Sequence, residues 1–395
     1  MLLGPAFVAA IAYVDPGNVA ANVSAGAQYG FLLVWVILVA NVMAGLVQYL
    51  SAKLGLVTGR TLPESVADRT RTPTRIAYWV QAELVAMATD LAEVVGGAIA
   101  LYLLFDLPLL VGGAITGSVS LVLLSVQNRR GQRVFERVIS GLLLVIAIGF
   151  LTSLFVAPPS ASDVAGGLVP RFDGAESILL ATAMLGATVM PHAVYLHSGL
   201  ARDRHGRPDE GAPRRRLLRI TRYDVALAML VAGAVNLAML LVAATNLQGI
   251  DDTDSIEGAY SAVQGALGHT VALFFAIGLL ASGLASTSVG AYAGAMIMQG
   301  LLHRRYPLLL RRLVTLVPAL VILGIGVDPS RALVLSQVVL SFGIPFALIP
   351  LVRMTGDRTL MGDDVNHRLT TACGWLVAAV ISVLNVVLIY LTVTG

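Results

Sequence analysis

Charged residues are scarce in this chain. Only 12% of its 395 residues are Asp, Glu, Lys or Arg, whereas 57% are hydrophobic, and the mean hydropathy is +0.83. Because a soluble domain carries about a quarter charged residues, this composition excludes a soluble globular protein and favours a membrane protein. The net charge of +3 says little by itself. The distribution of the positive charges along the chain is more informative.

Cysteine and signal-peptide features are nearly absent as well. The single cysteine, Cys373, lies in an apolar segment, which excludes an intramolecular disulfide and a cysteine-based metal site. The first apolar segment has no basic n-region and no small-residue cleavage motif, so we do not predict a cleaved signal peptide. No nucleophile–base set or phosphate loop is evident. The sequence therefore predicts neither an enzyme nor a bound cofactor.

Apolar segments long enough to cross a bilayer recur along the whole chain. A spanning helix needs about 20 mostly apolar residues. The predicted spans are 2–27, 31–54, 76–105, 108–126, 135–157, 175–200, 223–245, 270–299, 307–327, 331–352 and 371–394. The sequence therefore predicts an all-α integral membrane protein with about eleven transmembrane helices in a single domain, 1–395.

Basic residues are distributed unevenly between the loops that join these spans. With a cytoplasmic N-terminus, the cytoplasmic loops receive almost all of them, and the run 202–222 alone holds eight arginines. Only Arg171 and Arg331 fall on the outer side. The outer loop that has no basic residue contains Asp251, Asp252, Asp254 and Glu257. This positive-inside bias predicts a cytoplasmic N-terminus and, with an odd number of spans, an external C-terminus.

The arginine-rich run has a second interpretation, as a nucleic-acid patch. We interpret it as a loop that determines topology, so nucleic acid is not an expected partner. Heavy use of arginine, with Lys53 as the only lysine, is typical of a GC-rich bacterial genome. The predicted location is therefore the bacterial cytoplasmic (inner) membrane, with lipid as the surroundings and no obligate protein partner.

Two of the predicted spans are interrupted by proline. Asp15-Pro16-Gly17-Asn18 interrupts the first, and Met190-Pro191-His192, after Gly186-Ala187-Thr188, interrupts the sixth. Proline removes a backbone donor and clashes with the preceding turn, so both helices are expected to unwind. Unwound backbone at membrane depth is tolerated only where it lines protein or a watery cavity.

The positions of the two breaks predict a transporter architecture. Broken helices five spans apart are typical of inverted-repeat transporters, which bind their substrate at the midplane. We therefore predict a first repeat at 1–157 (spans 1–5), a second at 175–352 (spans 6–10) and an additional C-terminal helix at 371–394.

Asp15 and Met190 indicate the substrate class. A carboxylate at the bilayer centre is costly, so Asp15 is predicted to bind a cation or a proton; the alternative is capping of the next half-helix. Asn18 offers an amide oxygen one turn away, with the same alternative. The Met190 thioether is a soft ligand that suits Mn²⁺ or Fe²⁺ better than Mg²⁺ or Ca²⁺, although methionine more often fills a gap in a core.

Three acids in the third span are candidates for proton binding. At about 100° per residue, Glu83, Asp90 and Glu93 share one helical face, and inside a membrane they must pair or protonate. Arg311 and Arg312, at the cytoplasmic end of the ninth span, are available partners. The alternative is a static ion-pair network.

Two histidines follow the second break. His192 and His197 are five residues apart, so they do not share a face and are not expected to be joint metal ligands. Histidine titrates in the pH range that proton coupling uses. The alternative for each is hydrogen-bonded packing.

These motifs resemble the Nramp family of proton-coupled metal transporters, which have the LeuT-type fold. The resemblance extends over essentially the whole chain, and DPGN together with MPH is its most specific feature. The matching segments are Gly4-Pro5-Ala6, DPGN at 15–18, TDLAE at 89–93, GATVMPH at 186–192, Tyr195-Leu196-His197, GLASTSVGAYAGAMIMQG at 283–300 and SQVVLSFGIPFALIPL at 336–351.

The resemblance implies import of Mn²⁺ or Fe²⁺, extending to Cd²⁺, Co²⁺ and Zn²⁺, with protons and by alternating access. It assigns the side chains of Asp15, Asn18 and Met190 as metal ligands, and the carbonyl groups of Ala12 and Ala187 as further ligands in different states. Three more residues enter more weakly, Gln337 in an occluded state and Thr188 and Asn236 through water.

Two departures from the family pattern accompany the resemblance. The family usually has a cytoplasmic tail before the first broken helix, so an earlier start of the chain is expected. Leu284-Ala285-Ser286 stands where the family often has Gln-Ser-Ser, outside the expected metal shell. A Mg²⁺ carrier and an organic-substrate transporter on the same fold remain the alternatives, and Met190 argues against both.

Overall fold

The computed structural model describes residues 4–130, 132–250, 255–304 and 308–394, and side chains within 4–123, 134–250, 255–304 and 311–391. Every regular element in these ranges is helical. Some residues used in the topology prediction lie outside the described side chains. They are Arg129, Arg130, Arg133, Asp251, Asp252, Asp254 and Arg305.

The helices follow one another with short connections. They are α1 (Pro5–Ile11), α2 (Pro16–Tyr29), α3 (Val34–Thr58), α4 (Leu62–Ala67), α5 (Thr72–Phe105), α6 (Leu109–Arg130), α7 (Gln132–Val156), α8 (Ala161–Gly166), α9 (Gly174–Thr188), α10 (Pro191–His205), α11 (Ala212–Asn246), α12 (Ile256–Leu267), α13 (His269–Leu302), α14 (Leu308–Gly324), α15 (Pro329–Thr355), α16 (Arg358–Met361) and α17 (Arg368–Thr394). Two 3₁₀ turns, Ala12–Val14 and Gly362–Asp364, complete the described structure.

The predicted spans all correspond to helices. Within the described ranges, eight helical segments are long and apolar enough to cross a membrane: α3, α5, α7, the α9–α10 pair, α11, α13, α15 and α17. The predicted spans 2–27 and 108–126 contain the shorter apolar helices Pro5–Val14 and Leu109–Leu123. The span 307–327 corresponds to α14. The predicted all-α, multi-pass architecture is confirmed.

The arginine-rich run is mostly helical, which differs from the predicted loop 202–222. α10 continues to His205 and α11 begins at Ala212, so only residues 206–211 connect them. Arginine is a good helix former, and a helix that leaves the apolar layer needs no apolar side chains to continue. The positive charges therefore lie largely on two helix ends.

Small residues let the long helices approach closely, as is common in membrane bundles. α13 packs along α5, and α11 packs along α2. A Cβ atom added to Gly283 would lie 3.0 Å from the backbone nitrogen of Gly97. α15 crosses the break region in the same way, since a Cβ atom on Gly17 or on Gly186 would overlap Gln337. These contacts place α15 directly against both breaks.

Candidate metal-binding site

The first break lies just before the DPGN motif. α1 ends at Ile11, Ala12–Val14 form the 3₁₀ turn, and Asp15 is extended with φ −71° and ψ 168°. Pro16 is the first residue of α2, where its missing N–H would have no intrahelical partner and its fixed φ suits the helix. The predicted break is therefore present, but Pro16, Gly17 and Asn18 are helical and the unwound residues precede them.

The second break has the same construction. α9 ends at Thr188, and Val189 (φ −105°, ψ 60°) and Met190 (φ −63°, ψ 121°) are not helical. Pro191 again starts the following helix. Each break thus ends in a buried residue that the sequence predicts as a metal ligand, Asp15 in the first and Met190 in the second.

Asn18 connects the two breaks. Its backbone N–H and its Nδ2 both donate to Asp15 Oδ1 at 2.8 Å, and Nδ2 also donates to the carbonyl oxygen of Ala187 at 2.9 Å. Asp15 therefore does cap α2, which is the role that the sequence left open as the alternative to cation binding. The cap uses only Oδ1. The second oxygen, Oδ2, accepts a long contact of 3.5 Å from Gln337 Nε2.

Two buried amide oxygens beside Asp15 have no hydrogen-bond partner. They are Asn18 Oδ1 and Gln337 Oε1, and both side chains are fully buried. An unpaired buried polar group costs about 1–3 kcal/mol, so a native structure retains one where it serves a purpose. Two unpaired acceptor oxygens next to a carboxylate form a donor set for a cation.

The donor set is weak in charge. The described residues contain no group of three or more His, Cys, Asp or Glu side chains arranged to hold a metal ion. One carboxylate, Asp15, lies with neutral amide oxygens at the first break, and Met190, which is fully buried and caps nothing, lies at the second break. The predicted residues Ala12 and Ala187 lie in the backbone of the two breaks, and Thr188 ends α9. Such a set suits a metal that is bound and then released.

Two side chains from distant helices hold the unwound backbone of the first break. Asn236 Nδ2, on α11, donates to the carbonyl oxygen of Tyr13 at 2.7 Å, and Asn236 Oδ1 accepts from Asn22 Nδ2 at 3.1 Å. Ser282 Oγ, on α13, donates to the carbonyl oxygen of Val14 at 2.6 Å. Asn236 was expected to contribute through water to the metal site; here both ends of its amide are bonded to protein. Sequence reasoning missed Ser282 and Asn22.

We expect Asn236→Ala to raise the KM for Mn²⁺ uptake by about tenfold, equivalent to about 1.4 kcal/mol, because the Tyr13 carbonyl loses its buried donor and the break loses its fixed shape. The measurement is Mn²⁺ uptake into proteoliposomes over a concentration series. Asn246→Ala is the matched control, since that amide bonds only within α11, to Val242. An unchanged KM in Asn236→Ala would contradict the holding role.

The acids of the third span and the arginines of the ninth meet as predicted. Arg311 Nη2 donates to Glu83 Oε1 at 3.2 Å. Arg312 Nη1 pairs with Asp90 in full burial, and Arg312 Nε donates to Ser120 at 3.1 Å. The buried pair on Asp90 connects α5 with α14.

Glu93 differs from the other two acids. Its side chain is 1% exposed, the Asp90 carboxyl group is its neighbour, and its Oε2 has no hydrogen-bond partner. Asp15 and Arg312 lie within coulombic range of its carboxyl group. Glu93 thus lies between the first break and the acid–arginine pairs.

The two histidines point to different helices. His192 Nδ1 lies 3.4 Å from Thr89 Oγ1 on α5, within coulombic range of Asp90. His197 Nδ1 lies 2.7 Å from Gln48 Oε1 on α3, and Gln48 also donates to the hydroxyl group of Tyr13. The prediction that they are not joint metal ligands agrees with this separation.

Contacts near the N-terminus of the chain hold α1 in place, and sequence reasoning did not find them. Asp224, on α11, accepts from the backbone N–H groups of Gly4 and Ala6 at 3.1 Å each. A carboxylate at a helix N-terminus accepts hydrogen bonds from the unpaired backbone N–H groups and interacts favourably with the helix dipole. The signal was hidden because these groups are 218 and 220 residues apart in sequence.

An ion pair joins α10 to the short helix α4 on the same side. Arg202 Nη1 donates to both oxygens of Glu64, at 2.8 and 3.0 Å. Partial burial raises the pKa of Glu64, but the Thr61 N–H and the Arg202 guanidinium outweigh burial and leave that pKa below its usual value. The carboxylate therefore stays ionised at neutral pH and keeps the pair intact.

A cavity of about 430 Å³ lies on the other side of the site. It is formed by α2, α9 and α15, the same three helices that surround Asp15, together with residues next to α12. Its polar lining residues are Ser24, Gln28, Glu176, Ser255, Asp328, Ser330 and Arg331. The lining thus carries the acidic side chains Glu176 and Asp328 together with the basic side chain Arg331.

Residues 6–391 match the family model described as natural resistance-associated macrophage protein-like, Nramp. The chain belongs to the Nramp family. A relative from Mycobacterium tuberculosis named divalent metal cation transporter MntH is 72% identical over 394 residues, covering 100% of this chain and 92% of the relative. A protein of the same name from Bacillus subtilis is 49% identical, covering 98% of this chain and 91% of its own.

Solved structures agree with this membership. The manganese transporter of Eremococcus coleocola superposes with a TM-score of 0.86 at 31% identity, covering 97% of this Nramp chain and 85% of that protein. The nucleobase-cation-symport transporter Mhp1 superposes with a TM-score of 0.62 at 16% identity, covering 99% of this chain and 93% of that protein, which bears on the fold alone. The predicted family and LeuT-type fold are confirmed. The relatives are named as transporters, which confirms the prediction that this Nramp chain is not an enzyme.

Proposed function

We propose that this chain imports Mn²⁺ and Fe²⁺ together with protons, by alternating access. Two observations support the proposal: the buried Asp15 carboxylate lies beside the unpaired oxygens of Asn18 and Gln337 at the first break, and the Met190 thioether is fully buried at the second break. The names of the relatives, a divalent metal cation transporter and a manganese transporter, support the same substrate class.

The proposed metal ligands are the side chains of Asp15, Asn18 and Met190. The carbonyl groups of Ala12 and Ala187 and the amide of Gln337 serve as further ligands in different states. Gln337 is close enough to join, since its Nε2 already contacts Asp15 Oδ2 at 3.5 Å. Because its amide can rotate, Gln337 can present Oε1 to a bound ion instead of Nε2.

Proton movement follows from the charge of the metal. A carboxylate ligand must be deprotonated to bind, so metal binding displaces any proton that Asp15 carries. Glu93 is within coulombic range of Asp15 and is a neighbour of the Asp90 carboxyl group. The proposed path therefore runs from Asp15 to Glu93 and Asp90, and then past Arg312, Arg311 and Glu83 to the cytoplasm. His192 and His197 flank this path from α10.

The burial of the site supports a mechanism in which the two repeats rock against each other. We place the protein in the cytoplasmic membrane of a bacterium. The site is sealed in this structure, with Asp15 and Met190 fully buried, and the cavity of about 430 Å³ lies on the outer side of it. Release of the cytoplasmic contacts on α1 and α10 opens the inner side. The two repeats, 1–157 and 175–352, move against each other, with α17 outside them. The N-terminus is cytoplasmic and the C-terminus external, as the positive-inside rule requires.

The experiment that tests the metal class is Mn²⁺ uptake into proteoliposomes with an acidic exterior and excess Mg²⁺ or Ca²⁺ as competitor. We expect uptake by the wild type to resist the competitor. In Met190→Ala we expect Mg²⁺ to compete better, so that the Mg²⁺ concentration that halves Mn²⁺ uptake falls by about tenfold. The reason is that the thioether is a soft ligand, which favours Mn²⁺ over the hard ion Mg²⁺.

A matched control uses Met184→Ala, a fully buried methionine within α9, six residues before Met190. Met184→Ala removes a buried methionine side chain just as Met190→Ala does, but Met184 does not lie at the break. Effective competition by Mg²⁺ in the wild type would show that the chain is a Mg²⁺ carrier. No uptake of any metal would favour an organic substrate on the same fold.

A further inference from the structure

The face of α13 that meets the acid–arginine network is lined with glycine. A Cβ atom added to Gly290 would lie 2.9 and 3.1 Å from the two carboxylate oxygens of Glu93. A Cβ atom added to Gly294, one turn further, would overlap the guanidinium group of Arg311. The charged ends of Glu93 and Arg311 thus occupy the space that side chains at these positions would fill.

The groups in that space are buried and incompletely bonded. Glu93 is 1% exposed, and its Oε2 has no hydrogen-bond partner. Arg311 is 7% exposed, and its Nε also has no hydrogen-bond partner. From α13, the Ala291 carbonyl oxygen accepts a long hydrogen bond from Arg311 Nη1 at 3.4 Å. At Gly290 and Gly294, α13 therefore confines the two charges by shape alone.

The charges that face Glu93 come from three other places. Asp90 lies on the same helix, Arg312 on α14, and Asp15 at the first break. Each lies within coulombic range, so a small displacement of the Glu93 carboxylate changes its distance to all of them. A displacement of about 1 Å in a reacting group can cost about 100-fold in rate.

We propose that Gly290 and Gly294 are positioning residues for proton coupling. Their missing side chains place the Glu93 carboxylate and the Arg311 guanidinium where the network needs them, and so determine how many protons accompany each metal ion. This proposal rests on one part of the proposed function, namely that protons pass through Glu93 and its charged neighbours.

The substitutions that test it are mild for the fold. Alanine is a better helix former than glycine by about 1 kcal/mol, so Gly290→Ala does not weaken α13 itself. Because a contact below 3.0 Å forces a shift and the atoms met are side-chain ends, the carboxylate moves and the backbone does not. Gly278→Ala is the matched control on α13, since its Cβ would meet the ring of Phe150 at 3.2 Å and no charged group.

The experiment records Mn²⁺ uptake and proton uptake by the same proteoliposomes, for the wild type and the three alanine variants. We expect the ratio of protons to Mn²⁺ to fall by at least about threefold in Gly290→Ala and Gly294→Ala, with the KM for Mn²⁺ within about twofold of the wild type. Gly278→Ala should keep the wild-type ratio.

The outcomes separate this inference from the proposed function. A wild-type ratio in both Gly290→Ala and Gly294→Ala, with coupled uptake intact, overturns the positioning role and leaves the proposed function standing. Mn²⁺ uptake without any proton uptake in the wild type overturns proton coupling itself. If Gly290→Ala yields too little folded protein, Gly294→Ala decides, because its Cβ meets only the flexible end of Arg311.

Discussion

Asp15→Ala is expected to abolish Mn²⁺ uptake and metal-coupled proton uptake, with a loss of at least about 100-fold, equivalent to about 2.7 kcal/mol. Asp15 is the one carboxylate in the proposed ligand set, and it is fully buried between the two breaks. Its Oδ2 accepts a long contact of 3.5 Å from Gln337 Nε2, and we expect a bound cation to replace that contact. Removing the carboxylate removes the only full negative charge that offsets a divalent ion there.

The alanine variant also removes the cap of α2, so the two effects must be separated. Asp15→Asn provides the separation, because asparagine is as good a cap as aspartate but carries no charge. We expect Asp15→Asn to lose uptake as Asp15→Ala does while keeping the folded yield of the wild type. Asp357→Ala is the control for the loss of a cap outside the spans, since Asp357 caps α16; it also removes an exposed ion pair with Arg69.

The measurement is ⁵⁴Mn²⁺ or dye-reported uptake at saturating and at limiting metal, with folded protein quantified by size-exclusion chromatography. Retention of Mn²⁺ uptake in Asp15→Asn would reduce Asp15 to a helix cap. Retention of Mn²⁺ uptake in Asp15→Ala would show that the metal does not bind between the breaks.

Arg312→Met is expected to destabilise the protein by about 3–5 kcal/mol. The substitution leaves Asp90, which is 2% exposed, without its counter-ion and removes the donor to Ser120. An uncompensated buried charge is far more costly than a buried neutral pair. The measurement is thermal unfolding in detergent, followed by the intrinsic tryptophan fluorescence or by loss of the monodisperse peak.

The double variant Asp90→Asn, Arg312→Met separates stability from transport. Because the Asp90–Arg312 pair is replaced by two neutral side chains, we expect most of the stability that Arg312→Met loses to return. Proton uptake per Mn²⁺ should stay low, since the pair on the proposed path is gone. Recovery of both stability and proton coupling would favour the static ion-pair network, the alternative that the sequence left open.

Much of the architecture was predictable because the bilayer restricts what a chain can do. In hydrocarbon the backbone must satisfy its own hydrogen bonds, so apolar segments of about 20 residues form helices. Proline chemistry is equally local, and it predicted the breaks at Pro16 and Pro191. Their position was off by a few residues, because each proline starts a half-helix.

The arginine-rich run 202–222 illustrates a limit of that reasoning. Charge correctly marks it as poor in apolar residues, but charge does not distinguish a loop from a helix end beyond the membrane. Residues 202–205 extend α10 and residues 212–222 belong to α11. Arginine has a high helix propensity, and the neighbouring apolar helix supplies the nucleus from which the polar turns propagate.

The sequence by itself determined the membrane class, the two breaks, and the acids that pair with Arg311 and Arg312, and it predicts Asp15 and Met190 as metal ligands. Each of these depends on local chemistry or on helical spacing. Only the tertiary structure decided which oxygens stay unpaired, which side chains hold the breaks, and why glycine stands at 290 and 294. Those features join residues far apart in the chain, as Asn236 and Tyr13 are by 223 positions. Helix packing sets such meetings, and no local pattern in the sequence encodes them.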